Sequence, residues 1–449
     1  MKKVKADSII HNGQVLTINK KMEVIENGVV VMEGDKILAV GDASLLSKYV
    51  ANKMIDAENG IVMPGMVNAH CHLPMIAFRG LGEEGIEDRL MGYFMPLEKK
   101  MLSRQLIHDA TLFGAMDMAL SGVTTYGDMY YHVDEMAKAT ATIGLRALLG
   151  ETIIGFPVVD APEPYGGFAY TKSILKKFEK YPNVSLALAP HAPYTVSKEK
   201  LQLTQQWAKE HHLPIHIHAA EFEGAEKQIA DNKKGLTVIA YLEDIGFLGA
   251  NTILAHCNYV NEADLRIIQK YGCKIAHNPM ANAKGATGSA PIVEAMEKGI
   301  AVGLGTDGPM GSNVIDLFKV MTYASTVQRL RKMDRTLMTP DKVVRMATMG
   351  GAEVLGMQNA IGSLEPRKKA DIIIVETKST NMIPNYNTYA SLVFQANPHN
   401  VQTTLVDGKV IVENRQLQTV SYEEGLENIQ KWMSKIKPFG IELAARIRK

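Results

Sequence analysis

Three short stretches, far apart in the chain, carry side chains able to hold a metal ion. Ile61 to Met75 (IVMPGMVNAHCHLPM) passes from an apolar run through a Pro-Gly pair into His70-Cys71-His72. Successive side chains of a strand point to opposite faces, so His70 and His72 project together from a strand end. Two imidazoles so placed supply neighbouring corners of a metal site. An isolated HxH says little, because short motifs recur by chance. Here Ile215 to Ala219 (IHIHA) adds His218 at a second apolar strand end, and Gly303 to Gly308 (GLGTDG) adds Asp307 at a third. Three imidazoles and a carboxylate suit Zn²⁺, although Fe²⁺ or Mn²⁺ use such sets as well. Cys71 would point away from this group and is read as packing.

Positioning these residues takes a specific scaffold. Eight apolar runs read as strands: Ile61–Val67, Val123–Asp128, Leu145–Gly150, Val184–Pro190, Ile215–Ala219, Thr252–Cys257, Cys273–His277 and Ala301–Thr306. Helical patterns lie between them, as at 108–120, 198–211, 261–271 and 291–298. Eight strand–helix repeats predict an α/β fold, a (β/α)8 TIM-type barrel whose reactive groups gather at the carboxyl ends of the strands. His70, His72, His191, His218, His256, His277 and Asp307 all fall at such ends, which scattered core histidines would not do. Both termini are rich in short strands separated by turn signals such as Glu26-Asn27-Gly28 and Asp407-Gly408. Residues 1–57 and 365–449 are therefore expected to form one composite β-sandwich with a C-terminal helix, flanking a barrel over 58–364.

Composition narrows the partners. Basic and acidic residues nearly cancel, 49 against 48, so neither nucleic acid nor an anionic membrane surface is expected. No stretch approaches the ~20 apolar residues of a membrane span, and residues 1–10 lack an apolar segment of signal length. Three cysteines, Cys71, Cys257 and Cys273, argue against a disulfide framework and for a reducing, cytoplasmic setting.

In order along the chain, NAHCHLPM, HIHAAE, LAHC, HNP and GLGTDG resemble the amidohydrolase superfamily over nearly the whole length. Two-metal members of that superfamily place a lysine after strand four. This chain has His191 there, in LAPHAPY, which implies a single divalent ion held by His70, His72, His218 and Asp307. Such an ion lowers the pKa of water from 15.7 to about 7. The resemblance implies that Asp307 also takes a proton from that water and that His256 holds the attacking oxygen. Glu221 would protonate the ring nitrogen next to the attacked carbon. Within the superfamily the chain is similar to the 5′-methylthioadenosine/S-adenosylhomocysteine deaminases, which replace a purine 6-amino group with oxygen. Their ribose-binding glutamate matches Glu98 in Met95-Pro96-Leu97-Glu98, and His191 matches a histidine near the substrate; Glu83 and Glu84 are weaker candidates for the ribose.

Relatives that bind S-adenosylhomocysteine carry two arginines where Glu151 and Phe168 align, so a less anionic substrate is expected: 5′-methylthioadenosine, adenosine or another aminated heterocycle. GTDGPMGSN departs from the usual continuation after the aspartate. Guanine, pterin or s-triazine hydrolysis on the same scaffold is the alternative chemistry, and a non-catalytic scaffold is a remote one. Barrels of this kind commonly form dimers or tetramers, so a homo-oligomer is expected.

Overall fold

The computed structural model describes residues 3–83, 85–86, 88–233 and 235–447. Eight parallel strands form the central sheet: β1 (Met66–Cys71), β2 (Val123–Tyr130), β3 (Arg146–Ile153), β4 (Val184–Pro190), β5 (Ile215–Ala219), β6 (Thr252–His256), β7 (Lys274–His277) and β8 (Val302–Leu304), paired in chain order. Helices follow the strands, for example Arg104–Leu120 after β1, Lys198–His211 after β4 and Glu262–Tyr271 after β6. β2 and β3 are buried at every position, as a parallel sheet wrapped by helices requires. The TIM-type barrel expected from the apolar rhythm is therefore present. Its seam is closed by a parallel bridge between Cys71 and Asp307. There the N–H groups of Thr306 and Asp307 both donate to the His70 carbonyl at 3.0 Å.

The helix starts follow local chemistry. Ser103 and Ser197 accept backbone N–H groups of their own first turns. Asn261 and Asp264 cap the helix after β6 reciprocally, satisfying donors that the first turn leaves bare.

The run expected as a single strand over Ile61–Val67 is divided. Ile61–Pro64 belongs to a second sheet, antiparallel to Ile372–Val375 and parallel to Val4–Leu16. The chain turns at Gly65 and enters the barrel at Met66. Only glycine passes here, since a Cβ would lie 2.2 Å from Thr124 Oγ1. The second sheet is mixed and nine-stranded, built from both ends of the chain. Ile10, Val15, Val30, Val62, Ile372 and Leu405 share one core within it. Arg146, at the start of β3 and 7% exposed, ties the sheet to the barrel. It bonds Asp407 at 2.7 Å and Asp371 at 3.2 Å.

The C-terminal helix Tyr422–Ile447 packs chiefly on the barrel helix Arg104–Leu120. Trp432 Nε1 donates to Asp109 Oδ2 at 2.9 Å, and Tyr93 OH to the Gly440 carbonyl at 2.9 Å. Among the described residues no helix is long and apolar enough to cross a membrane.

Candidate active site

The carboxyl ends of β1, β5, β6 and β8 bring the predicted donors together. Nitrogen and oxygen donors of His70, His218, His256 and Asp307 lie within 4.8 Å of one another. His72 joins the group through Nε2, 3.2 Å from His218 Nε2 and 3.3 Å from Asp307 Oδ1. His70 Nε2 stands 3.4 Å from the same carboxylate oxygen.

Tautomers follow from what the outer nitrogens touch. His72 Nδ1 meets the Met129 carbonyl at 2.7 Å and His218 Nδ1 the His191 carbonyl at 2.8 Å. A carbonyl only accepts, so both Nδ1 atoms carry a proton, which leaves Nε2 of each ring, once neutral, as the atom that can ligate an ion. His70 Nδ1 meets His216 Nε2 at 2.9 Å, while His70 Nε2 is buried without a partner. Burial pushes His70 to about 3, against the pull of Asp307, and holds His218 well below its ordinary value. Burial would raise Asp307, but His70 and His72 keep it well below the usual carboxylate range. Burial would lower His72, but the Asp307 carboxylate lifts it to about 9, so the cluster favours positive charge at its centre. Convergent imidazole lone pairs, one carboxylate and carbonyl-oriented outer nitrogens are what a transition-metal site requires.

The backbone is bent to make this approach. Ala220, His256, Cys257 and Asp307 all have positive φ, from 51° to 76°. Left-handed conformations in residues other than glycine cost of order 1–3 kcal/mol each and collect at functional sites.

Above the cluster lies a cavity of about 1050 Å³ lined by Glu98, His191, Glu221 and Asp307, among others. Glu221 Oε1 is 3.9 Å from His256 Nε2, and burial raises its carboxyl against the opposing influence of His256. Glu98, on the helix Met95–Met101 and 4% exposed, receives the Tyr130 hydroxyl. Burial lifts it to about 7, opposed by that hydrogen bond and by His72. His191 Nδ1 pairs with Thr195 Oγ1 at 2.9 Å, and burial lowers its ring to about 4.

Other expected residues fall elsewhere. Glu83 bonds Lys284 at 2.5 Å and Asn313 at 2.9 Å rather than lining the cavity. Glu84 lies outside the described residues. Glu151 and Phe168 do not line the cavity either. Glu151 is fully buried against the Val133 N–H, and Phe168 packs edge-on to Trp207 at 5.6 Å. A repulsion between Glu151 and a substrate carboxylate therefore has no place in this structure. Cys71 packs, with Sγ 3.2 Å from Asp128 Oδ2.

Two residues went unforeseen. His216 lies two residues before His218, so strand parity alone placed it on the same face. Asn282, which meets His256 Nδ1 at 2.8 Å, gave no signal, because one amide on a short helix is commonplace.

A (β/α)8 barrel with imidazoles and a carboxylate converging at its strand ends has the architecture of a metal-dependent hydrolase. The chain belongs to the amidohydrolase family, whose profile matches residues 61–411; that family is metal-dependent. It is 35% identical over 433 residues to 5-methylthioadenosine/S-adenosylhomocysteine deaminase 1 of Syntrophus aciditrophicus, covering 96% of this chain and 98% of that one. It is 35% identical over 419 residues to 5'-deoxyadenosine deaminase of Methanobrevibacter smithii, covering 91% and 94%. In three dimensions it resembles a zinc-bound adenosine deaminase from Xanthomonas campestris, with TM-score 0.94 and 26% identity over 97% of this chain and all of the other.

Proposed function

We propose that the protein hydrolytically removes the 6-amino group of an adenosine-type nucleoside and releases ammonia. His70, His72, His218 and Asp307 would hold one divalent ion, and three neutral imidazoles with one carboxylate favour Zn²⁺. When bound, such an ion is a Lewis acid that makes hydroxide available at neutral pH.

The remaining steps belong to side chains. His256 Nε2 orients the attacking water, and Asp307 accepts its proton as oxygen bonds to C6. Glu221 gives its proton to N1, which receives the electron pair of the C6–N1 double bond. The proton held by Asp307 then passes to the amino group, which leaves as ammonia with its bonding pair. The new hydroxyl becomes a carbonyl as its proton returns to Glu221. A carboxyl with a raised pKa suits this donor role. Glu98 accepts the ribose hydroxyls and His191 flanks the ring.

The observation that carries the reading is Glu221, set 3.9 Å from His256 on the cavity side of the donor cluster. The names of the relatives, for 5-methylthioadenosine, S-adenosylhomocysteine, 5'-deoxyadenosine and adenosine deaminases, support the substrate class. Among the described lining residues the one lysine or arginine is Arg89. It shares its charge with Glu83 at 3.6 Å and touches the Met310 carbonyl at 3.4 Å, while its Nε has no hydrogen-bond partner. An amino-acid carboxylate on the substrate would have to compete with Glu83 for this single cation, so uncharged 5′ substituents are favoured.

The test is ammonia release by the zinc-loaded protein from adenosine, 5′-methylthioadenosine, 5′-deoxyadenosine and S-adenosylhomocysteine side by side. Glu221→Gln is expected to lower kcat by about 10²–10⁴-fold with bound metal unchanged. A clear preference for S-adenosylhomocysteine would overturn the charge argument. Turnover of guanine, pterins or triazines without any nucleoside would overturn the assignment itself.

A further inference from the structure

A chain of three hydrogen bonds runs behind the catalytic face, and its direction is fixed at one end. Asn258 Nδ2 lies 2.8 Å from the backbone carbonyl oxygen of Glu221 and 3.3 Å from Thr287 Oγ1. Asn282 Nδ2 lies 2.7 Å from Asn258 Oδ1, and Asn282 Oδ1 lies 2.8 Å from His256 Nδ1. The two ends of an amide look alike by shape, so orientation has to be argued from partners. The Glu221 carbonyl supplies the argument, because it can only accept. Asn258 must therefore turn its NH₂ to Glu221 and its oxygen to Asn282. Asn282 must then turn its NH₂ to Asn258 and its oxygen to His256. An oxygen facing His256 Nδ1 requires a proton on that nitrogen, which leaves Nε2 with a bare lone pair. His256 Nε2 is buried, has no partner and faces the site.

We propose that Asn282 is a positioning residue that selects the tautomer of His256, and that Asn258 sets the orientation of Asn282 in turn. The proposal rests on the role given above to His256. The tautomer matters because of the water. A bare Nε2 accepts an O–H of the attacking water and leaves an oxygen lone pair free to meet C6. In the other tautomer Nε2–H would donate to that lone pair and block the attack. Burial keeps the relay intact: Asn258 is 8% exposed, Asn282 2% and His256 1%, so water does not compete. The relay also joins three elements, the turn after β5, the turn after β6 and the short helix Pro279–Lys284. Ala220, His256 and Cys257, with their left-handed backbones, belong to the first two, so the two strained turns are stitched together by Asn258.

Two measurements on the full-length, zinc-loaded protein test the relay. In kinetics, Asn282→Ala should lower kcat roughly 10–100-fold with KM within about threefold. Asn282→Asp, which keeps an oxygen toward Nδ1 but sets its other oxygen against Asn258 Oδ1, should recover part of that loss and remain faster than Asn282→Ala. Asn258→Ala should cost less than Asn282→Ala, and the double variant should be no slower than Asn282→Ala alone, since one residue acts through the other. In spectroscopy, long-range ¹H–¹⁵N correlation of ¹⁵N-histidine-labelled protein should show His256 protonated on Nδ1, assigned by its loss in His256→Gln. Asn282→Ala should shift that signal toward a mixture, while Asn282→Asp keeps it. The proposal is overturned if Asn282→Ala leaves the tautomer unchanged, or if the effects of Asn258→Ala and Asn282→Ala multiply. Should the parent turn over no nucleoside, the assigned reaction fails, and the tautomer is still decided by the spectra.

Discussion

Glu98 shows how a single side chain is paid for in stability. It is buried, yet the role proposed for it needs an ionised carboxylate. Its folded value of about 7 lies above the ordinary 4.5, so between those pH values the folded chain holds a proton that the unfolded chain releases. This term favours the fold at low pH and is lost as pH rises through 7, a fall of roughly 3 kcal/mol. Glu98→Gln should therefore raise the urea midpoint at pH 8 while weakening nucleoside binding. Equal stability of the two proteins at pH 8 would show that burial is not the cause. For the parent, KM should rise as pH falls below 7, because a protonated Glu98 accepts fewer hydroxyls. At this scale the sequence was legible where parity was applied to a clear strand end. The spacing of two in HCH put His70 and His72 on one inward face, and the apolar run IHIHA put His218 at a strand end, without any knowledge of the fold; the same parity held His216 and was not applied to it. Glu151 was misjudged because the strand expected to end at Gly150 continues to Ile153 and buries it, and Phe168 because counting through the irregular 154–166 segment does not fix the register of the helix that follows.

Elements were legible by rhythm, and their allegiance was not. Ile61–Val67 reads as one apolar strand, but hydropathy does not record which sheet an apolar residue joins. Pro64-Gly65 redirects the chain, and a close approach to Thr124 enforces the turn. The C-terminal helix was legible as an amphipathic segment, while its docking on the barrel helix Arg104–Leu120 depends on partners distant in sequence. Arg146 is the element-scale joint between barrel and terminal sheet. Arg146→Met would leave the buried Asp371 carboxylate without its cation, while Asp407 keeps Lys369 Nζ at 3.4 Å. A loss of about 3–5 kcal/mol in unfolding free energy is expected. Replacing Asp371 by Asn in the same chain should recover part of it. An unchanged denaturation midpoint for Arg146→Met would show that the joint is not energetically important.

At the scale of the whole molecule, the strand leading into β1 has its second edge covered last. Ile61–Pro64 precedes every barrel strand, and its antiparallel partner Ile372–Val375 follows all of them. A ribosome that has delivered the complete barrel has not yet delivered the strand that covers this edge. Until it does, the nascent chain carries an apolar strand, held on one edge by Val4–Leu16 and open on the other, directly beside the segment that bears His70 and His72, a shape that invites mispairing between chains. Translation stopped after residue 364 should give a product that pellets or is captured by holding chaperones, whereas the full chain stays in the supernatant. Biogenesis of this enzyme thus includes a zippering step, and the hazard of making it lasts until Ile372–Val375 has emerged.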